Sequence, residues 1–165
     1  MSPGYDRNAY HPSSFDDELC LKPPGLIWIV VLYLSRAILL PLMVGIGHYA
    51  GMNKEAMPLL RTFWREDSLM PAVLAVPVLY ALCRRQPTAS RAVRWIWRKG
   101  RVLLVAAAAV DIALNAHDLI PFTAVVDHTA LPLAGALIDS FFLTYVLAAR
   151  RVRDAFRDFP APLDH

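Results

Sequence analysis

The apolar residues of this chain fall in unbroken blocks, not at the spacing of an amphipathic helix or a half-buried strand. The first block runs from Leu26 to Ala50, after Lys22-Pro23-Pro24-Gly25 and before Gly51 and the polar Asn53, Lys54 and Glu55. A second runs from Ser68 to Cys83, with Asp67 or Ser68 as helix N-cap and Pro71 tolerated in the first turn, where amide hydrogens are unpaired anyway. The third, Val102 to Pro121, and the fourth, Ala130 to Ala149, approach the roughly 20 residues that a helix needs to cross about 30 Å of hydrocarbon. The pattern predicts an all-α integral membrane protein with four transmembrane helices, at about 26–50, 68–83, 102–121 and 130–149, joined by short loops. Pro41 and Pro77 each remove one helical hydrogen bond, so a kink is expected in the first two spans.

Length and composition sharpen this picture. With 165 residues, 56% of them hydrophobic, the chain has room for about one domain. It divides into a polar segment 1–25, a helical membrane domain 26–149 and a polar tail 150–165, none of the polar parts being large enough for a catalytic domain. A soluble enzyme is thereby excluded. The first 25 residues carry Asp16, Asp17 and Glu18 and lack a basic n-region, so the first helix is expected to be retained and not cleaved as a signal peptide.

The small positive excess, 17 Lys and Arg against 14 Asp and Glu, gains meaning from its placement. Arg84, Arg85, Arg91, Arg94, Arg98, Lys99 and Arg101 lie between the second and third blocks with no acid among them, and Arg150, Arg151, Arg153 and Arg157 follow the fourth. Positive charge stays on the cytoplasmic side during insertion, so both termini are expected to face the cytoplasm of a bacterial inner membrane. These charges therefore form a cytoplasmic basic surface and imply no nucleic acid. Leu59, Leu60, Phe63 and Trp64 outside, and Trp95, Ile96 and Trp97 inside, could each form a short interfacial helix, although aromatic belts and topology anchors account for them as well. Acids Asp16, Asp17 and Glu18 could fold back to meet Arg94 and Arg98. Cys20 and Cys83 make no CxxC pair and both fall on the reducing side.

Ionisable groups inside a span are costly, on the order of 3 kcal/mol at the bilayer centre, and each asks for a partner or a role. Three occur: Arg36, Asp111 and Asp139. Counted from the cytoplasmic ends, all three lie roughly 14 to 15 Å deep, so Arg36 is expected to bridge Asp111, Asp139 or both. Asn115 and Asp118 follow Asp111 at i+4 and i+7 and extend a polar stripe along the third span. One guanidinium facing two carboxyls can be a structural clasp, a proton relay or a polar patch for a partner. Gly47 with Gly51, and Ala106 to Ala109 with Ala134 and Gly135, supply small-residue surfaces for close helix packing. His48, His117, Asp118, Asp127 and His128 gather near the outer surface without zinc-ligand spacing, and no metal or cofactor is expected. The chain shows no Walker loop, HExxH, GxSxG or dinucleotide fingerprint and no repeat, and no catalytic residue is assigned.

The run Tyr10-His11-Pro12-Ser13, then Phe15-Asp16-Asp17 and Leu21-Lys22-Pro23-Pro24, resembles the YfeZ-like family of bacterial inner-membrane proteins, as do Ser35-Arg36-Ala37, Arg150-Arg151-Val152-Arg153-Asp154 and Asp158-Phe159-Pro160. The resemblance spans most of the chain and is weakest over 51–67 and 115–129. It implies a small polytopic membrane protein and brings no assigned activity. The expected function is that of a non-enzymatic accessory or assembly subunit of a larger membrane complex, with lipid and a membrane protein as partners. The alternative is a small homo-oligomeric proton-coupled transporter or channel using Asp111 and Asp139 with Arg36.

Overall fold

The computed structural model describes residues 9–16, 18–49, 69–119 and 130–160, and within these every regular element but one 3-10 turn is an α-helix. The helices are α1 (Gly25–Leu34), α2 (Arg36–Tyr49), α3 (Leu69–Cys83), α4 (Arg91–Leu119), α5 (Ala130–Ala148) and α6 (Arg150–Arg157). The longest, α4, is central: α3 packs along one side of it and α5 along another, while α1 lies mainly on α3 and α6 also packs on α4.

Small side chains let these helices approach closely. Ala72, Ala75 and Ala81 of α3 and Ala107 and Ala108 of α4 are all buried. Around them close Ile27, Val30, Val31 and Leu34 from α1, Val78 from α3, Leu104 from α4 and Phe142 and Val146 from α5. Tyr33 meets Phe142 edge-on at 5.3 Å between ring centroids. Outward, Trp28, Ile29, Leu32, Leu42, Met43, Ile46, Leu137, Ile138 and Phe141 are exposed, an apolar exterior unlike that of a water-facing bundle. The exposed hydroxyls on α5 turn back onto their own helix: Ser140 Oγ donates to Ala136 O at 2.7 Å and Thr144 Oγ1 to Ser140 O at 2.8 Å. Such bonds satisfy a hydroxyl within its own helix.

The span count is narrower than the apolar blocks suggest. Among the described residues one helix segment, Arg91–His117, is long and apolar enough to cross a membrane, and up to three spans result if each bent pair counts as one. The first block is divided by a 79° bend between α1 and α2, and α5 meets α6 at 65°. At 15 residues α3 reaches only about 22 Å, short of a full hydrocarbon layer. The expected N-caps Asp67 and Ser68 lie outside the described residues, as do 51–67 and 121–129.

The breaks also fall elsewhere than proline predicts. Both Pro41 and Pro77 sit inside continuing helices. The first block bends instead at Ser35, where the Arg36 guanidinium turns back and Nη1 donates to Tyr33 O at 3.1 Å, occupying a carbonyl next to the break. The next helix starts on the Ser35 carbonyl, which accepts from Ile38 N and Leu39 N. Further along, Trp95, Ile96 and Trp97 do not form a separate interfacial helix. They belong to α4, which begins at Arg91, eleven residues before the third apolar block.

Candidate functional site: a buried polar cluster beneath a latched cap

The bend at Ser35 brings Arg36 against the middle of α4. Its Nη1 lies 2.8 Å from Asp111 Oδ2, and its Cζ stacks 4.2 Å from the Tyr33 ring centroid. One helical turn beyond Asp111, Asn115 Nδ2 donates to Asp139 Oδ2 on α5 at 3.0 Å. Asp111, Asn115 and Asp139 are all buried, whereas the Arg36 side chain keeps 20% of its surface exposed. Gly135 makes the second link possible: a Cβ there would stand 3.2 Å from Asn115 Nδ2 and 3.3 Å from its Oδ1, so a larger residue would displace the amide. The structure thus brings Arg36, Asp111, Asn115 and Asp139 into one site, joined pairwise across three helices. One guanidinium faces two carboxyls, so the cluster is neutral only when the two hold one proton between them. Among the described residues Ser35 Oγ, Asp111 Oδ2 and Asp139 Oδ1 are buried without a hydrogen-bond donor, Asp111 Oδ2 being held by its ion pair with Arg36. The side chains of His48 and Asp118, and Asp127 and His128 entirely, lie outside the described residues. His117 is exposed, and among the described residues no group of three or more His, Cys, Asp or Glu could hold a metal ion.

Toward the basic side a second construction closes the bundle. The N-terminal segment folds into a hook in which Phe15 and Leu21 pair as an antiparallel bridge, Lys22 N donates to Ser14 O, and Asp16 Oδ1 accepts from Cys20 N at 2.8 Å. Leu19 in its turn has a φ of 55°, a left-handed conformation that costs a leucine about 1–2 kcal/mol and is held here by the hydrogen bond that its N–H donates to Asp16 O.

The hook is tied to the other end of the chain. Leu21 N donates to Asp158 Oδ2 at 2.7 Å, and Tyr10 Oη donates to Asp154 Oδ2 at 2.8 Å. Trp97, wholly buried, shares its indole N–H between Ala155 O at 3.0 Å and Asp158 O at 3.1 Å. Its ring packs 4.7 Å from that of Phe156. The absence of a side chain at Gly100 lets Phe156 in, since a Cβ would stand 2.5 Å from Phe156 Cε1. Within this cap, burial, aided by the nearby Asp158 carboxylate, pushes the Cys20 thiol up to about 11. Burial, with the hydrogen bond to Asp154, also raises the Tyr10 phenol.

The basic residues divide in a way their sequence positions do not show. Arg85 Nη1 bridges Asp16 Oδ2 at 3.2 Å, and its Nη2 donates to Asp158 O at 3.3 Å. Arg94 donates to three carbonyls, of Ala89, Pro87 and Pro160, and Arg101 to two at the end of α5, of Val146 and Leu147. Arg84, Arg91, Arg98 and Lys99 remain exposed. The expected pairing of the N-terminal acids with Arg94 and Arg98 is therefore corrected. Asp16 takes Arg85, because Arg94 is occupied by backbone carbonyls and Arg98 is exposed on the outer side of α4; Glu18 is exposed, and Asp17 lies outside the described residues.

A family profile matches residues 10–158, which is to say from Tyr10, at one end of the cap, to Asp158, at the other. The chain belongs to DUF2919, a family of proteins of unknown function. Neither a curated protein nor a solved structure shows significant similarity to it. Membership in DUF2919 places the hook, the cluster and the cap inside one family domain and carries no reaction with it.

Asp154, Asp158, Tyr10 and Trp97 were not singled out as site residues from the sequence. Their only signal was that Tyr10, Asp154 and Asp158 sit in the short runs that carry the family resemblance. A tryptophan among arginines reads as an interfacial anchor until its burial is seen.

Proposed function

We propose that this protein is a non-enzymatic integral membrane protein of the bacterial inner membrane, with both termini cytoplasmic, and that it serves as an accessory or assembly subunit of a larger membrane complex. The observation that supports the reading most is how the polar groups are used. Arg36, Asp111, Asn115 and Asp139 engage one another, Arg85 and Arg94 engage the chain's own cap, and Arg101 the end of α5. What the bundle offers its surroundings is a broad apolar exterior on α1, α2 and α5, suited to lipid and to partner helices. In this reading the cluster is a clasp: a buried ion pair that fixes one helix arrangement, because any other strands a charge.

The test is mild-detergent purification of the protein tagged at its own locus, with native-gel sizing and mass spectrometry. A stoichiometric heterologous membrane partner is expected. A clean homo-oligomer would overturn the subunit reading in favour of the second one.

That second reading, a small proton-coupled transporter or channel, draws on two features of the cluster. It contains more carboxyl than guanidinium groups, and it sits at the bend of a broken helix where, among the described residues, Asp139 Oδ1 and Ser35 Oγ receive no hydrogen bond. Broken helices are where membrane transporters place coupling sites. Under it, Asp111→Asn and Asp139→Asn assemble normally in proteoliposomes and lose proton-linked flux.

A further inference from the structure

The arginines and lysine that the cap leaves outward lie on one face of one helix. Over its 29 residues α4 is about 43 Å long, some 13 Å more than a hydrocarbon layer requires. The surplus is the polar stretch beginning at Arg91. At about 100° per residue, Arg91, Trp95, Arg98 and Val102 fall within an arc of roughly 60°, with Lys99 just beside it. All five are exposed, Trp95 at 62% and Val102 at 64%. The opposite side of the same turns carries Val93, Trp97, Gly100 and Leu104, all buried, so the face is held rigidly outward by the cap and the α3 contact. Among the described residues no carboxylate lies within ion-pairing distance of Arg91, Arg98 or Lys99, in contrast to inward-turned Arg85.

We propose that this face of α4, Arg91, Trp95, Arg98 and Lys99, binds the headgroups of anionic phospholipids in the cytoplasmic leaflet. The order of residues along the helix matches the layers of a bilayer edge. From Val102 at the hydrocarbon boundary the face runs through Lys99 and Arg98, about 5–6 Å along the axis, to the amphipathic indole of Trp95 at about 10 Å and Arg91 at about 16 Å, a depth that the headgroup layer fills. Two guanidiniums and an ammonium on one rigid face give multiple charge-assisted donors to phosphodiesters without an internal acid to compete. A zwitterionic headgroup carries its own ammonium and supplies no net charge to this face. The proposal rests on reading α4 as a membrane span.

The experiment uses the full chain in nanodiscs holding equal phosphatidylglycerol and phosphatidylcholine, with native mass spectrometry of the lipids retained on release. Preferential retention of phosphatidylglycerol is expected, lowered by salt and reduced on the order of 100-fold in Arg91→Gln/Arg98→Gln/Lys99→Gln, since each basic residue near an anionic surface is worth roughly fivefold. Arg91→Lys/Arg98→Lys should keep the preference. As a second measurement, brominated phosphatidylglycerol should quench the fluorescence that Trp95→Phe removes, more strongly than brominated phosphatidylcholine does. Equal retention of both lipids by the unaltered chain, or an undiminished preference in the triple Gln variant, overturns the proposal. Retention of neither lipid overturns the membrane reading of α4 beneath it.

Discussion

Replacing Trp97 with Phe should loosen the cap without unfolding the bundle, and the structure supplies both the size of the effect and its reporter. The substitution removes the indole N–H that is shared by Ala155 O and Asp158 O, leaving two carbonyls of the α6 end without that donor. It also leaves a gap beside Phe156 and beneath Arg85, whose Cζ lies 5.3 Å from the Trp97 ring centroid. A lost neutral hydrogen bond costs about 1 kcal/mol and the partly emptied site about 1–2 kcal/mol more, for roughly 2–3 kcal/mol in all. The reporter is Cys20, buried in the hook, while the chain's other cysteine, Cys83, is exposed. In a Cys83→Ser background, maleimide labelling of Cys20 near pH 8 runs through the open cap, because the closed cap holds that thiol up at about 11. A loss of 2–3 kcal/mol then speeds labelling about 30- to 150-fold in Trp97→Phe. Labelling at the unaltered rate, in a variant that remains folded by circular dichroism, would refute the assignment of Trp97 as the pin of the cap.

Other outcomes follow from the same contacts. Because the closed cap holds the Cys20 proton more tightly than the ordinary value of 9.0, its stability is full below that pH and falls as pH rises from about 9 toward about 11. Hydrogen exchange at the Leu21 amide, corrected for its intrinsic rate, should show this fall, and Cys20→Ser should remove the thiol's share of it. Arg36→Ala strands the buried Asp111 and should cost about 3–5 kcal/mol, seen as low abundance in the membrane fraction, with partial rescue in Arg36→Ala/Asp111→Asn. Normal abundance and assembly of Arg36→Ala, Asp111→Asn and Asp139→Asn alike would remove the clasp. Gly135→Leu should displace the Asn115 amide from Asp139 and lower the apparent melting temperature of the purified protein in detergent, whereas Ala134→Leu, at an exposed neighbouring position, should be far milder.

Parts of this architecture can be read in the residues alone. Unbroken apolar blocks mark where α1 with α2, α3, α4 and α5 lie, because a helix facing lipid needs no polar side. Equal depth along three blocks groups Arg36 with Asp111 and Asp139, since a charge in hydrocarbon has few alternatives to another charge. Block length, however, does not reveal the 79° bend at Ser35, because that bend is made by a tertiary contact, the reach of Arg36 to α4, whereas Pro41 and Pro77 are absorbed within intact helices. The cap was hidden for a related reason. Arg85, Arg94 and Arg101 look in sequence like Arg84, Arg91 and Arg98, and only the packing of α6 and the hook over Trp97 separates arginines that bind backbone carbonyls from those left at the surface.

The bond from Leu21 to Asp158 also sets a timetable for synthesis. Its partners are 137 positions apart, so at about 5–20 residues per second the hook waits roughly 7 to 27 s after it leaves the ribosome before its anchor exists. Throughout that interval the amide of Leu21 and the thiol of Cys20 lack the cover of the finished cap, and every helix of the bundle is made before the hook can dock. Closure of the cap therefore follows the synthesis of every helix of the bundle. A polypeptide that stalls or is cut before Asp158 leaves the hook without this anchor.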